Sequence, residues 1–507
     1  MGGDDYEERP EEEAAHPMNV VQSYDRGGSG VAKPDVLGLP EKYAALFSNT
    51  FDVWNAHLAR NRVRDRYYDG KNALKDLGIS IPPSLTNIET VVGWPQKAVD
   101  ALAVRSRFDG YGGSDALNDL IDQNNFFSSY KQAVQSELIQ SPAFVTVTRG
   151  GVGDPAVVLS ALSSSNAAAL WDYRLKRIRC GLVVSDVDDY GRPDAYLLYA
   201  DDAIVAVSRH GQSTWLCDAI MPHSMGRPLM EPLVYRPTLD RPFGRSRVTR
   251  AVMSITDSAV RTALRSEIAS EFFTSPQKYL LGADPELFSG GTETDETTDD
   301  AGTETKTEKP AMTKWEAYIG NILALTRDQN GDIPTVGQFP AASMQPHTDY
   351  MRSLAARFAG ETSIPISSLG VVSDNPSSAE AIYAAREDLI IEAEDLNELN
   401  GRALRNVGMM ALAILGNKPM SQLTDDERSI QTRFMNPARP SLVSQSDAMT
   451  KQASVFPDIV KTRVYWEELG YTHEQVDGIM TAVQASSATD TIKQMMQESK
   501  AQVAQNG

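Results

Sequence analysis

The stretch NPSSAEAIYAAREDLIIEAEDLNELNGRALRNVGMMALAIL, Asn375 to Leu415, constrains the fold more than any other. It enters through a polar turn, is rich in Ala and Glu, and carries no internal proline after Pro376. Asn375 suits an N-cap and Pro376 the first helical position, while Ser377 and Glu380 offer a second capping box just inside. Ile382, Leu389, Leu396, Leu404 and Val407 recur at helical spacing as a buried stripe. Roughly forty residues at 1.5 Å each make a rod of about 60 Å. Such a rod exceeds the span of a small compact domain and suits a brace across a larger one. Asn400-Gly401 is the expected point of a kink.

The remainder of the chain alternates between helical and strand-like patterning. Residues 1–39 are acidic, then Gly-rich, and lack an apolar core, so a disordered arm is expected, without the apolar stretch of a signal peptide. Tyr43, Leu46, Phe47, Phe51, Trp54 and Leu58 predict a helix over Glu41–Tyr68, and further helices are expected over Pro95–Arg107 and Phe126–Ile139. AFVTVTRGGVGDPAVVLSAL then predicts a hairpin. RIRCGLVVSDVDDYGRPDAYLLYADDAIVAVSR adds three strands, turning at DDYGRPD. A helix over 246–273 stops before Ser275-Pro276. Residues 289–310 hold seven acids against Lys306 and Lys309 and are expected as a flexible insertion. Asn330-Gly331 marks a hairpin, His347–Ala359 a shorter helix, and residues beyond Asn417 a set of short helices around Thr424–Phe434, Ser446–Ser454, Val460–Leu469, Glu474–Val483 and Asp490–Gln502. The fold class is α+β, mainly helical.

A search for chemistry argues against a catalytic site. No stretch carries the spacing of a phosphate-binding loop, and Asp69-Gly70-Lys71-Asn72 lacks its upstream glycine and hydroxyl. Gly151-Val152-Gly153-Asp154-Pro155-Ala156 joins two strands, so it is a turn and not a dinucleotide fingerprint. Asp186, Asp188 and Asp189 lack the twelfth-position glutamate of a calcium loop, where Leu197 stands. His473-Glu474 has no second histidine at zinc spacing and belongs to a helix start capped by Thr472 and Gln475. Six histidines never pair at ligand spacing, and Cys180 and Cys217 lie in strand-like runs as small buried hydrophobes, as in a reduced compartment. No cofactor or metal is expected. The net charge of -20 disfavours tight wrapping of DNA, and no apolar run approaches the roughly 20 residues of a membrane span.

Four segments in order carry a resemblance. They are RDRYYDGKNAL (Arg64–Leu74), VVGWPQKAVDALAVRSRFDGY (Val91–Tyr111), PLVYRPTLDRPFGRSRVTRAV with SEIASEFFTSPQKYLLG (Pro232–Gly282), and IPISSLGVVSDNPSSAEAI (Ile364–Ile382). Together they resemble the portal proteins of long-tailed bacteriophages, over roughly residues 40–470. The resemblance implies a ring of usually twelve copies around an axial channel, each with a wing, a two-helix stem, a clip, a tunnel loop, a long wing-spanning helix and a helical crown. On this chain the expected order is wing 40–245, first stem helix 246–273, clip 274–345, second stem helix 346–360, tunnel loop 361–376, long helix 377–416, and crown with tail 417–507. The acidic segment departs from the family's compact clip, either as a solvated loop or as a partner-binding element.

The resemblance also implies partners: other copies of the chain, double-stranded DNA passing through the channel, a large terminase motor, major capsid and scaffolding proteins, and a head-tail adaptor. It implies a virion location after assembly in the host cytoplasm, with no membrane. Twelve copies at -20 sum to about -240, a wall from which DNA slides without sticking. Arg245, Arg247, Arg250, Arg261 and Arg265 are candidates for channel-facing cations or for intersubunit ion pairs, and Ser373, Asp374, Asn375 and Pro376 for the tunnel loop. Two other readings stand beside this one. A minor head or adaptor protein is usually shorter and lacks the stem-clip-stem order, and an enzyme would require a pocket that sequence does not display.

Overall fold

The computed structural model describes residues 30–71, 90–211, 213–274, 278–281, 293–298, 304–309, 335–338, 343–371, 384, 386–438, 442–471 and 475–483. The chain divides into two compact units, one up to Met435 and one from Asn436.

The first helix, α1, covers Glu41–Tyr68, the span its periodicity predicts. Tyr43, Phe47, Phe51, Trp54 and Leu58 all point one way because they recur every three or four residues. That stripe lies on a six-stranded sheet. Its strands are β1 (Val36–Leu37), β5 (Ala167–Asp172), β6 (Arg177–Val187), β7 (Pro193–Tyr199), β8 (Ala203–His210) and β9 (Thr214–Pro222), in the order β1-β9-β8-β7-β6-β5. Every pair is antiparallel except β1 with β9. Tyr196 on β7 meets Phe47, Phe51 and Trp54 edge-on, with ring centroids 5.7 to 6.0 Å away, so the helix stripe and the inner sheet face interlock as one aromatic cluster.

A second core gathers around the remaining helices. These are α2 (Trp94–Ala103), α3 (Asp115–Gln123), α4 (Phe126–Ile139), α5 (Arg250–Thr274), α6 (Gln345–Thr362) and α7 (Glu387–Leu415). They pack with the three-stranded sheet β10-β3-β4, where β3 is Ala143–Arg149, β4 Val157–Ser163 and β10 Met230–Leu233. Helices α5 and α6 lie against each other. Strand β11 (Lys278–Leu281), just past α5, pairs antiparallel with β14 (Thr335–Gln338), ahead of α6, which makes a helix-strand-strand-helix bracket.

Several expectations are corrected. The helix expected over Pro95–Arg107 ends at Ala103, and Phe108–Gly112 forms strand β2. The helix expected over Thr424–Phe434 is one short turn, α8 (Asp425–Arg428), capped reciprocally by Thr424 and Glu427, followed by strand β15, Gln431–Phe434. The two surprises have one cause: β2 and β15 pair with each other across more than three hundred residues, and no local pattern reports so distant a partner. Helix α5 starts at Arg250 rather than 246, because Ser246, Arg247 and Val248 are buried in an irregular approach. Helix α3 has no counterpart in the sequence reading, although Leu117, Leu120 and Ile121 share its buried face. The acidic segment carries an antiparallel ladder, β12 (Glu293–Thr298) with β13 (Glu304–Lys309), where a flexible insertion is expected. Its register sets Glu293 opposite Lys309 and Glu296 opposite Lys306, and threonine favours extended backbone.

Helix α7 runs unbroken for 29 residues, about 43 Å, through Asn400-Gly401. Leu389, Leu396, Leu404 and Val407 are buried as expected, while Ile382 lies outside the described residues. Gly401 and Gly408 serve close approach and not a kink. A Cβ at 401 would stand 2.8 Å from Thr432 Oγ1, and one at 408 would stand 2.9 Å from the Tyr111 ring and from Ile430. Two glycines seven residues apart thus let the β2–β15 pair lie across the helix. The hairpin expected at Asn330-Gly331 lies outside the described residues apart from β14.

The second unit contains α9 (Leu442–Val455), a 3-10 turn at Pro457–Lys461, α10 (Arg463–Glu468) and a helix over 475–483. Trp466 stands edge-on to Tyr465 and Tyr471, and its indole donates to Val460 O at 2.8 Å. The helix expected over Asp490–Gln502 lies outside the described residues.

One buried polar cluster in the second core joins α7 to α4. Asn400 on α7 donates at 2.8 Å to Oε2 of Glu137 on α4, whose Oε1 has no hydrogen-bond partner, and Ser106 and Tyr130 close the cluster 2.9 Å apart. Burial pushes the Glu137 carboxyl up to about 8. The folded chain therefore keeps a proton that the unfolded chain releases near the usual carboxylate value. The stabilisation from this group is full in acid and is lost as pH rises from about 4.5 toward about 8. Glu137→Gln mimics the protonated group. Its Tm should gain on the parent as pH is raised from about 5 to about 8; a difference that stays constant, or grows toward acid, would show that Glu137 is not held protonated.

Candidate functional site

The residues proposed from sequence fall into three sets. Ser373, Asp374, Asn375 and Pro376 lie outside the described residues. The approach to them is described: α6 ends at Thr362, Ser363 takes a left-handed conformation, and a 3-10 turn follows at Ile366–Leu369. Ile364 and Leu369 are buried, so the first half of this loop is anchored in the core.

Arg247 is a correction. It is 3% exposed, and its guanidinium is enclosed by its own chain rather than presented to a channel or a neighbour. Nε donates to Ala98 O in α2 at 2.8 Å, Nη1 to the Tyr235 hydroxyl at 2.8 Å, and Nη2 to Thr362 O at the end of α6. Nη1 also pairs with Oε1 of Glu392 on α7 at 2.6 Å. The Arg247 backbone N–H donates to Leu138 O in α4 at 2.8 Å. One residue thus ties four helices and the Tyr235 segment together. The contact to Thr362 satisfies a helix-terminal carbonyl that has no intrahelical partner. Glu392 Oε1 receives the Tyr235 hydroxyl and is paired with Arg236 at 2.8 Å. Burial pushes the Tyr235 phenol up to about 12, so it stays a donor at neutral pH.

Sequence reasoning missed Glu392 as a partner, though a signal was present. Glu392 falls on the apolar stripe between Leu389 and Leu396, where a carboxylate is tolerated only when paired.

Arg250, Arg261 and Arg265 form the third set. At 100° per residue they fall within about 60° of one another on α5, opposite the buried Val252, Ile255, Ala259 and Thr262. From first to last they span about 22 Å of helix axis. Arg250 and Arg265 are exposed, and Arg261 is half-buried with Nη2 donating to Ser258 Oγ at 3.1 Å. Arg245 is exposed and precedes the helix; its backbone N–H donates to Tyr235 O at 2.9 Å.

The apparent chemical motifs resolve into turns. In the β3–β4 connection Gly151 N–H donates to the Asp154 carboxylate at 3.1 Å, and Gly150 pairs with Ala156 at 3.2 Å. Asp188 is occupied by the backbone N–H groups of Tyr190 and Arg192 and by Arg209 at 2.9 Å, which holds its carboxyl below the usual range. Cys180 is buried and its thiol is pushed up to about 12, whereas Cys217 is only half-buried, a correction to the expectation of two buried thiols. Among the described residues no cluster of His, Cys, Asp and Glu could hold a metal ion, and no helix is long and apolar enough to cross a membrane. His473 and Glu474 lie outside the described residues.

The family model described as phage portal protein, SPP1 Gp6-like, matches residues 49–503. This chain belongs to the phage portal protein family. It is 25% identical over 450 residues to the portal protein of Mycobacterium phage D29, covering 84% of each chain. It is 26% identical over 399 residues to the portal protein of Mycobacterium phage L5, covering 76% of this chain and 77% of that one. The family is structural and not enzymatic, a component of the phage virion.

For a portal subunit, the Arg247 cluster has a mechanical meaning: it locks the α5–α6 pair onto the wall of helices behind it. Arg247→Met leaves Glu392 buried with the Tyr235 hydroxyl and the exposed Arg236 beside it. We expect a loss of about 3–5 kcal/mol in urea unfolding. Arg247→Met combined with Glu392→Leu should cost less than Arg247→Met alone, because it removes the stranded charge. Additive losses would mean that the two residues act independently.

Proposed function

We propose that the chain is one subunit of a ring through which DNA enters, is retained in and leaves a phage head, and which also connects head to tail. The observation that carries this reading is the family match across 49–503 together with the bracket of α5, β11, β14 and α6. On it, α5 and α6 are the stem, residues between them the clip, 363–376 the tunnel loop, α7 the helix spanning the wing, and 417–507 the crown. The wing would be residues 40–249, with both of the cores that α1 and α4 help build. A separate terminase motor would dock at the clip and be replaced there by the head-tail adaptor, while capsid and scaffolding proteins would grip the wing.

The arginine face of α5 supports a channel role for the stem. A strongly anionic ring repels the phosphate backbone, and a short ladder of cations at fixed heights offsets that repulsion locally without gripping. Arg250, Arg261 and Arg265 provide such a ladder, directed away from the side on which α5 is buried.

Native mass spectrometry with negative-stain imaging should give a closed ring of about twelve copies with a central hole. A chain that stays monomeric at every concentration would refute the ring. In the triple variant Arg250→Ala, Arg261→Ala, Arg265→Ala, the ring mass should be unchanged while DNA retention in assembled heads falls. Rings that dissociate instead would assign these arginines to contacts between subunits.

A further inference from the structure

The described part of the first unit contains a cavity of about 380 Å³ between α1, the β3–β4 region and residues 241–245. Four arginines line it: Arg60, Arg64, Arg241 and Arg245. None of the four has a carboxylate within ion-pair distance among the described residues, and Arg64 spends Nη1 on a neutral acceptor, Gln140 O, at 2.6 Å. Four cations line one cavity, with Asp65 beside Arg64 the carboxylate that partly opposes them, in a chain whose net charge is -20. Their crowding is costly: burial and the Arg60 charge hold the Arg64 guanidinium down at about 10, and burial with Arg60 and Arg64 holds His57 neutral, down at about 4. Behind the arginines the wall is apolar and aromatic, with Trp54 and Phe243. Arginine clusters over an aromatic floor are suited to binding an anionic segment through forked hydrogen bonds.

We propose that this cavity is the docking site for the acidic N-terminal arm, residues 4–13. That segment carries Asp4, Asp5, Glu7, Glu8, Glu11, Glu12 and Glu13 against Arg9, with Tyr6 among them, and it lies outside the described residues. Reach favours it. The described chain begins at Gly30, and Val31 is fixed on α1 by paired hydrogen bonds with Asn55, both 2.9 Å. Asn55 stands within two residues of Val53 and His57, which line the cavity on the other side of the same helix. The 17 residues from Glu13 to Gly30 can span up to about 56 Å, against a helix diameter of about 10 Å. Shape favours it over DNA. A carboxylate on an extended strand enters a cavity of about 380 Å³, whereas a duplex presents its phosphates on a convex rod and would touch only the rim. The docked arm would neutralise four like charges and fix the start of the chain across the wing.

The test uses the full chain with Cys217→Ser. Glu12→Cys paired with Val53→Cys should form a disulfide under mild oxidation, within one chain or between two copies, as read by peptide mass spectrometry. Glu12→Cys paired with Tyr190→Cys, on the distant β6–β7 turn, should not. In parallel, Arg241 and Arg245 should react with phenylglyoxal several-fold more slowly in the parent than in a chain whose seven acids are replaced by Asn and Gln. Equal disulfide yields for both cysteine pairs, or equal arginine reactivity with and without the acids, would overturn the proposal. So would a short DNA duplex protecting the arginines in a chain where loss of the acids changes nothing, since the cavity would then be a nucleic-acid contact.

Discussion

The buried pairing of Arg247 with Glu392 is the constraint on which the rest of the second core depends. Enclosing a guanidinium and a carboxylate together is unfavourable unless every donor is used, because desolvation costs several kcal/mol per ion. Here Nε, Nη1 and Nη2 all have acceptors, drawn from α2, α6, α7 and Tyr235. Those acceptors come from parts of the chain separated by up to nearly three hundred residues, so the network forms only when all of them arrive together. Hydrophobic packing alone would let α5 and α6 slide along the wall behind them. A forked hydrogen-bonding group does not, because its donors have fixed directions.

A similar logic governs the long helix. An apolar stripe sets which side of α7 is buried, but it does not fix the register. Register comes from polar and small residues set into that stripe: Glu392 facing Arg247, Asn400 facing Glu137, and Gly401 and Gly408 admitting the β2–β15 pair. Each is a poor choice on helix propensity or burial cost taken alone. Spread over more than four turns, they specify one axial position for a rod that could otherwise shift by a turn.

Much of this was legible in the sequence, and the limits follow from what local patterns can report. Helices α1 and α4 keep their expected spans because each buries one stripe against a sheet, and periodicity measures that directly. The β3–β4 hairpin and β6 to β8 were legible from alternation and turn residues. Helix α3 is also legible in the spacing of Leu117, Leu120 and Ile121. Strands β2 and β15 were not legible, since each is a short segment made extended by the other. The role of Arg247 is not legible for a related reason: a basic residue beside an amphipathic helix looks the same whether it faces water or a carboxylate 145 positions away. Glu392, an acid on an apolar stripe, was the one local sign of that partner. The cation face of α5 was legible as positions, because helical spacing fixes which residues share a face.

The distribution of charge links these observations to a structural, non-enzymatic role. The most strongly shifted carboxyl among the described residues, Glu137, is sealed in a core among Asn400, Tyr130 and Ser106. Buried ionisable groups have been spent on fixing helices. Accessible cations include Arg250 and Arg265 on one face of α5 and Arg60, Arg241 and Arg245 around one cavity beside α1. A structural component of a virion must hold its shape, and the enclosed pairs Arg247–Glu392 and Asn400–Glu137 serve that by fixing α7 against the helices around it.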